Sequence, residues 1–171
     1  YHPVTLDPEG SVNEWRALLS ALDAFCPDMG LFFTRPNADP GNRKLRETLD
    51  DWVRSRPNAA VFTSLGQERY LSLMRHVDAV VGNSSSGLYE APYLRTPTVD
   101  VGDRQRGRLA AGSVIRCEGE PGAIRKAIEA ALKLDTSSAT NPYGDGHAAP
   151  RILEILAAVA DPRRLLKKHF H

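Results

Sequence analysis

Short apolar runs of strand type alternate along this chain with longer segments whose apolar residues recur at helical spacing. Parallel strands need long connections, usually helices, so the alternation predicts an α/β fold with a parallel sheet. The first helix is predicted to open at a capping box, Ser11-Val12-Asn13-Glu14, because a serine followed three residues later by glutamate can satisfy two free N–H groups. The strands are predicted at 31–34, 60–62, 79–82, 98–101 and 113–115. The predicted architecture is a Rossmann-like, doubly wound parallel sheet.

The segment 83–87, Asn-Ser-Ser-Ser-Gly, directly follows the third predicted strand. Small hydroxyl residues and glycine allow a tight turn there. A helix beginning after it would point unpaired N–H groups and a positive dipole end at an anion. Glu90, one to two turns into that helix, offers a carboxylate for the vicinal hydroxyls of a ribose. The segment therefore indicates a nucleotide site, although serine and asparagine are also ordinary caps that bind no ligand.

Two better-known motifs are absent from this segment. It is not a nucleophile elbow, since Ser86 stands where the second glycine would be. It is not a P-loop either, because no Gly-Lys-Ser or Gly-Lys-Thr follows a glycine-rich run.

Composition predicts one globular domain: 171 residues, 42% of them hydrophobic, with a formal net charge of +1. A near-neutral balance argues against nucleic acid or a membrane surface as partner, since both favour a basic excess. Cys26 and Cys117 lack the spacing of a zinc site or a disulfide framework. No apolar run is long enough to span a membrane. We therefore expect a cytoplasmic location.

Polar loops follow four of the predicted strands, at 35–39, 63–66, 83–87 and 102–108. In doubly wound sheets ligands bind beyond the carboxyl ends of the strands, so these loops are expected to converge at one edge. Residues 1–3 lie just before the first helix, where the end of another strand is expected. We therefore expect that the chain is a fragment from which this strand has been cut away.

Five motifs occur along the chain in a fixed order. They are His-Pro-Val-Thr at 2–5, Arg-Pro-Asn-Ala-Asp at 35–39, Gly-Asn-Ser-Ser-Ser-Gly at 82–87 with Glu90, Gly-Asp-Arg-Gln-Arg-Gly-Arg at 102–108, and Tyr-Gly-Asp-Gly at 143–146 with Arg151-Ile152. Together they closely resemble the C-terminal half of hydrolysing UDP-N-acetylglucosamine 2-epimerases, and the resemblance covers roughly residues 2–155. Non-hydrolysing relatives typically have a Ser-Gly-Gly type cluster and Thr-Glu-Arg-Pro-Glu at the end of the arginine loop, and this chain has neither.

The resemblance implies a glycosyltransferase-B-type enzyme with two Rossmann-like lobes and an active site between them. Residues 1–160 would be the UDP-binding C-terminal lobe, and residues 161–171 a poorly ordered tail. The family eliminates UDP from UDP-N-acetylglucosamine to give a glycal, and then adds water to release N-acetylmannosamine. No cofactor or metal is implied. The complete protein is expected to be a homodimer, and its substrate is either UDP-N-acetylglucosamine or a 4-acetamido-4,6-dideoxy relative used toward sialic-acid-type sugars.

The resemblance also assigns nucleotide contacts to particular residues. Ser84 and Ser85 would hold the diphosphate, and Glu90 would accept hydrogen bonds from the ribose. Leu65 would present backbone groups to uracil, and Asn37 would also lie at the nucleotide.

Two residues are expected to take part in the chemistry. Arg104 would bind the nucleotide and neutralise charge on the departing diphosphate, as a fixed cation does in a partly dry site. His2 would protonate or stabilise the leaving group. The carboxylates that move the C2 proton lie on the other lobe in this family, so we expect this chain to bind UDP without turning substrate over.

Two alternatives stay open: a lobe of a UDP-sugar glycosyltransferase with the same architecture, and a nucleotide-binding module without chemistry. The loop 102–108 favours the epimerase, and the Glu-x7-Glu donor signature typical of such transferases is not found. Asp145 beside His147 is better explained by a turn and a helix start than by a metal pair.

Overall fold

The computed structural model describes residues 1–26 and 28–166. The chain divides into two compact units, Tyr1–Asn141 and Pro142–His171. The first unit contains all five described strands and all the residues to which the sequence assigns a site. Its strands are β1 (Leu31–Thr34), β2 (Ala59–Phe62), β3 (Val80–Gly82), β4 (Thr98–Val101) and β5 (Val114–Cys117), and its helices are α1 (Pro8–Leu22), α2 (Asn42–Val53), α3 (Gly66–His76), α4 (Ser86–Tyr89) and α5 (Pro121–Ala131).

All the strand pairings are parallel, which confirms the predicted α/β fold. The described strands form two sheets, β1-β2 and β3-β4-β5, where the sequence predicted one. Leu31 is in register with Ala59 in the first sheet, and Val80 with Thr98 in the second. Within the described residues, β1 and β3 are therefore not paired with each other.

Helix α1 begins earlier than its sequence suggested. Asp7 caps it, since an Asp7 carboxylate oxygen accepts a hydrogen bond from the N–H of Gly10 at 2.9 Å, and Pro8 occupies the first turn. Ser11 is buried inside the helix, where its hydroxyl donates to the Asp7 carbonyl and accepts from the N–H of Val4. The predicted capping box at Ser11 is therefore wrong. Asp7-Pro8 provides the stronger start, because proline lacks the N–H that a first turn leaves unpaired.

The core of the first unit lies where α1, α2 and α5 cover the sheet. Leu18, Leu45, Val99 and Ile124 are at most 2% exposed. Trp15 packs among them and donates its indole N–H to the carbonyl of Leu45 at 3.0 Å, so its one polar atom is satisfied. All four residues of β4 are buried, as expected for a central strand of a parallel sheet covered on both faces.

The second unit contains α6 (Ala148–Ala157) and a 3₁₀ helix (Pro162–Leu165). Asp145 accepts a hydrogen bond from the His147 N–H at 3.0 Å and pairs with both terminal nitrogens of Arg151. These bonds hold the pKa of Asp145 well below its ordinary value. Asp145 thus has the turn and helix-start role that its sequence position indicated.

The tail predicted at 161–171 is described only in its first part. The 3₁₀ helix Pro162–Leu165 lies within it, and residues 167–171 fall outside the described residues. Among the helices of the described ranges, none has both the length and the apolar content that crossing a membrane requires.

Replacing Asp7 by alanine is expected to lower the free energy of unfolding by about 1 kcal/mol, because the Gly10 N–H loses its partner. Asp7→Asn is the matched control, since asparagine caps about as well as aspartate. Urea denaturation of the three proteins checks this expectation. Equal stabilities of the alanine and asparagine variants would contradict the assignment of Asp7 as the cap.

Candidate functional site

Asn83 connects the start of the chain to the end of β3. Its side-chain oxygen accepts a hydrogen bond from the N–H of His2 at 2.7 Å, and its side-chain nitrogen donates to the carbonyl of His2 at 2.8 Å. The asparagine is fully buried. A buried amide needs its hydrogen bonds satisfied, and here both ends pair with a single backbone residue. His2 is therefore fixed beside the serine segment.

The backbone carbonyl of Asn83 attaches a third segment, the loop 102–108. It accepts hydrogen bonds from Arg104 at 2.9 Å and from the side-chain amide of Gln105 at 2.8 Å. Gln105 is almost fully buried, and its side-chain oxygen has no hydrogen-bond partner in the structure. The guanidinium of Arg104 is thereby placed at the carboxyl end of β3, close to His2.

Gly102 allows the chain to turn into this loop. Its φ of +74° lies in the left-handed region, and a Cβ there would come within 2.6 Å of the Glu14 carboxylate. Any side chain would be strained at this φ, and the Glu14 carboxylate would have to move to make room for it. The phenol of Tyr1 donates a hydrogen bond to the same carboxylate, so Glu14 ties this turn to the start of the chain.

The imidazole of His2 lies against Asn37, which follows β1. Its Nδ1 is 3.0 Å from the Asn37 side-chain oxygen and 3.3 Å from the Asn37 backbone nitrogen, which donates to it. Burial lowers the pKa of His2, and the positive charge of Arg104 lowers it further. A lowered pKa favours the neutral ring near pH 7, and a neutral ring still offers one N–H donor and one acceptor.

The helix predicted after the serine segment is much shorter than expected. Helix α4 is a single turn, and Glu90 is its exposed C-cap and not a residue one to two turns inside it. The N–H groups of Ser86, Gly87 and Leu88 already have partners within the turn. An anion here would therefore be met by hydroxyls and by Arg104, because one turn of helix provides little dipole and few free donors.

Two contacts fix this single turn. A Cβ on Gly87 would lie 2.6 Å from the methyl group of Thr98, so glycine lets α4 pack closely on β4. The hydroxyls of Ser86 and Tyr70 are 2.9 Å apart, which links the turn to α3. These contacts hold Ser84 and Ser85 at the end of β3, and we call these two residues the serine corner.

The structure brings some of the predicted residues together and leaves others apart. His2, Asn37 and Arg104 are joined by hydrogen bonds to one another or to Asn83, and Ser84 and Ser85 follow Asn83 directly. Leu65 is the half-buried N-cap of α3, beyond the carboxyl end of β2. None of the hydrogen bonds of the described residues joins Leu65 or Glu90 to Asn83.

Sequence reasoning missed the role of Asn83 and that of Gln105. Asn83 was noticed only as part of a turn motif, and Gln105 stands between two arginines in a loop that looks solvated. The buried position of Gln105 has no local signal in the sequence. Within the described ranges, no group of three or more His, Cys, Asp or Glu side chains is placed to hold a metal ion.

Replacing Asn83 by alanine is expected to lower the free energy of unfolding by about 2–3 kcal/mol, since it leaves the partly buried N–H and carbonyl of His2 without partners. Asn13→Ala is the control, because Asn13 is exposed on α1 and its loss is expected to change stability by no more than about 0.5 kcal/mol. Urea denaturation measures both. Equal losses in the two variants would mean that the Asn83 amide does not hold the site together.

Solved structures resemble this fold. The crystal structure of Methanocaldococcus jannaschii UDP-GlcNAc 2-epimerase, in complex with UDP-GlcNAc and UDP, superimposes with a TM-score of 0.69 at 21% identity. The match covers 85% of this chain and 40% of that one. At this level of identity the likeness establishes the fold, which is that of one part of a longer protein.

Curated relatives are closer in sequence. GDP/UDP-N,N'-diacetylbacillosamine 2-epimerase (hydrolyzing) of Campylobacter jejuni is 40% identical over 119 residues, covering 69% of this chain and 31% of the relative. UDP-N,N'-diacetylbacillosamine 2-epimerase (hydrolyzing) of Legionella pneumophila is 26% identical over 168 residues, covering 98% of this chain and 44% of the relative. The chain thus spans less than half the length of these relatives.

The family model of UDP-N-acetylglucosamine 2-epimerase matches residues 1–157, which include every residue of the site described above. The resemblance inferred from the five sequence motifs is confirmed. This chain belongs to the UDP-N-acetylglucosamine 2-epimerase family.

Proposed function

We propose that this chain is the UDP-binding lobe of a hydrolysing 2-epimerase that acts on a UDP-sugar. One observation carries the proposal: Asn83 holds His2, the serine corner and Arg104 together at the carboxyl ends of the strands. That edge is where doubly wound sheets bind nucleotides. The hydroxyls and a fixed guanidinium supply the donors that a diphosphate needs.

The position of Arg104 supports a role in the departure of UDP. When the C1–O bond of the sugar breaks, its electron pair stays on the diphosphate, whose negative charge grows. A cation already oriented by its bond to the Asn83 carbonyl stabilises that charge without having to reorganise. Arg104 is only partly buried, so a ligand can approach it.

We assign His2 the role of a neutral hydrogen-bond donor to the leaving group. Its lowered pKa disfavours the charged ring, so stabilisation through an N–H bond is better supported than delivery of a full proton from imidazolium. The contact with Asn37 fixes the orientation of the ring.

The remaining chemistry is assigned to the other lobe. In the proposed reaction a base there removes the C2 proton as UDP leaves, which forms a C1=C2 double bond. Water then adds to this glycal and gives the free 2-epimeric sugar. This lobe binds the nucleotide, which UDP-N-acetylglucosamine and UDP-N,N'-diacetylbacillosamine share, so we propose that the other lobe selects the sugar. For the complete protein we propose a homodimer in the cytoplasm.

Arg104→Ala is expected to weaken UDP binding at least about tenfold, or about 1.4 kcal/mol, because it removes the fixed cation. Arg106→Ala is the control from the same loop. The Arg106 side chain is 73% exposed and 4.0 Å from Asp103, and its removal is expected to change affinity less than about twofold. Calorimetric titration of UDP measures both, even if the affinity is only ~1 mM.

Titration of uridine into the same variants shows whether Arg104→Ala weakens UDP binding by removing a charge or by disturbing the fold. Uridine lacks the phosphates, so its binding is expected to be equal in the wild type and the Arg104→Ala variant. If Arg104→Ala leaves the affinity for UDP unchanged, Arg104 is not part of the nucleotide site.

UDP is expected to raise the pKa of the His2 ring, because the added negative charge opposes the burial and the positive charge of Arg104 that lower it. NMR titration of the ring protons with and without UDP measures the change. His76 serves as the control, since it lies at the far end of α3 from the serine corner and its resonances should not move. A His2 pKa that UDP leaves in place would argue against His2 lying near the diphosphate.

Product analysis of the complete protein tests the reaction itself. Incubation with UDP-N-acetylglucosamine or its diacetylbacillosamine counterpart is expected to release UDP and a free sugar inverted at C2, while this chain alone binds UDP and releases nothing. Transfer of the sugar to an acceptor would identify a glycosyltransferase instead. If the complete protein bound UDP but turned over neither sugar nucleotide, it would be a nucleotide-binding module without chemistry.

A further inference from the structure

The buried strand β4 carries a charged residue, Asp100, whose side chain is only 3% exposed. Burial raises the pKa of Asp100, and the positive charge of Arg116 opposes that rise. Arg116 lies in register with Asp100 on the neighbouring strand β5, and its Nε is 3.5 Å from an Asp100 carboxylate oxygen. A buried carboxylate costs free energy unless it is paired, so Arg116 is the cation that compensates Asp100.

Arg116 also reaches the end of the loop 102–108. Its Nη2 donates a hydrogen bond to the backbone carbonyl of Arg108 at 2.6 Å. Hydrogen bonds from a charged donor are shorter and stronger than neutral ones. Asp100 therefore orients the Arg116 guanidinium, and this guanidinium fixes the last residue of the loop.

Hydrogen bonds inside the loop connect this end to Arg104. The N–H of Arg108 donates to the carbonyl of Gln105 at 3.2 Å. The side chains of Gln105 and Arg104 both donate to the carbonyl of Asn83. A continuous series of bonds thus leads from the ion pair in the sheet to the guanidinium at the carboxyl end of β3.

The loop has two further attachments. The N–H of Gly102, where the loop begins, donates to the carbonyl of Cys117 at 2.9 Å. At the other end, Nη1 of Arg108 donates to the phenol oxygen of Tyr89 at 3.3 Å, and Tyr89 is the last residue of α4. The loop is therefore held between β5 and the turn that follows the serine corner.

We propose that Asp100 and Arg116 are positioning residues for Arg104. By holding the loop at Arg108, they keep the Arg104 guanidinium beside the serine corner before an anion arrives. A cation oriented in advance loses less conformational entropy on binding and stabilises charge without reorganising. The proposal rests on the proposed function, in which that anion is the diphosphate of UDP, and it gives Asp100 and Arg116 no contact with the nucleotide.

Two substitutions break the connection in different ways. Arg116→Ala removes the donor to the loop, but it also leaves a buried carboxylate without its cation and so endangers the fold. Asp100→Asn avoids this risk, because the amide has nearly the same shape and the 44% exposed side chain of Arg116 remains solvated. Long-range attraction alone would make Asp100→Asn bind UDP more tightly, since a negative charge is lost. A positioning role makes both variants bind UDP more weakly.

Calorimetric titration measures the effect on binding. Both variants are expected to bind UDP at least about threefold more weakly than the wild type, and to bind uridine equally well. In an Arg104→Ala background neither substitution is expected to weaken UDP binding further, because the residue that they position is absent. Arg125→Ala is the control, since Arg125 is 58% exposed and pairs with Glu129 on α5, and its loss is expected to change the affinity less than about twofold.

Amide hydrogen exchange without nucleotide measures the position of the loop directly. The N–H groups of Arg106 and Arg108 bond to carbonyls within the loop. In both variants they are expected to exchange at least about threefold faster, while the amides of β1 keep their rates. Circular dichroism establishes folding, and if Arg116→Ala does not fold, Asp100→Asn decides the test.

Four results would overturn the proposal: a UDP affinity that a folded variant leaves unchanged or improves, an equal loss of uridine binding, a loss that persists in the Arg104→Ala background, or unchanged exchange in the loop. A failure of the proposed function has a different signature. In that case the wild type does not bind UDP, while faster exchange in the variants still supports the positioning of Arg104.

Discussion

The pairing of the Asn83 side chain with the backbone of His2 is the interaction on which the rest of the site depends. An asparagine amide offers a donor and an acceptor with nearly the spacing of a peptide group, so it can pair with one residue as a neighbouring strand would. Asn83 is buried, and in such an environment hydrogen bonds are electrostatically stronger and an unpaired polar group is costly. The carbonyl of the same residue orients Arg104 and Gln105. One residue therefore positions the histidine, the serine corner and the arginine loop.

Much of the fold could be predicted from the sequence because its signals are local. Each of the five strands lies within two residues of its predicted position, since short apolar runs bounded by polar loops leave little choice of structure. The convergence of His2, Asn37 and Arg104 also followed from the sequence, because parallel strands carry their succeeding loops to one edge. The interpretation of the serine segment as a corner after β3 belongs to the same class of inference.

The remaining features could not be predicted because they depend on competition between two possible helix caps or on contacts with residues that are distant in the sequence. Ser11 and Asp7 both offer a cap, and the choice between them depends on Pro8 and on the partly buried N–H of Val4, which Ser11 satisfies from inside the helix. Gly87 packs α4 closely on Thr98 of β4, and this contact between distant residues has no signal in the local sequence. Asn83 binds a residue 81 positions away in the sequence, and no periodic pattern of residues predicts such a contact. The composition of β1 and β3 also gives no sign that they belong to separate sheets.

The separation between His2 and Asn83 also bears on the order in which the molecule folds. Bringing together two residues so far apart in the sequence costs loop-closure entropy. Only contacts that have already formed can offset this cost. Helix α1, β1, α2 and β2 all lie between them and make shorter-range contacts. During synthesis these elements are complete before Asn83 is added, so the site closes after the framework that surrounds it.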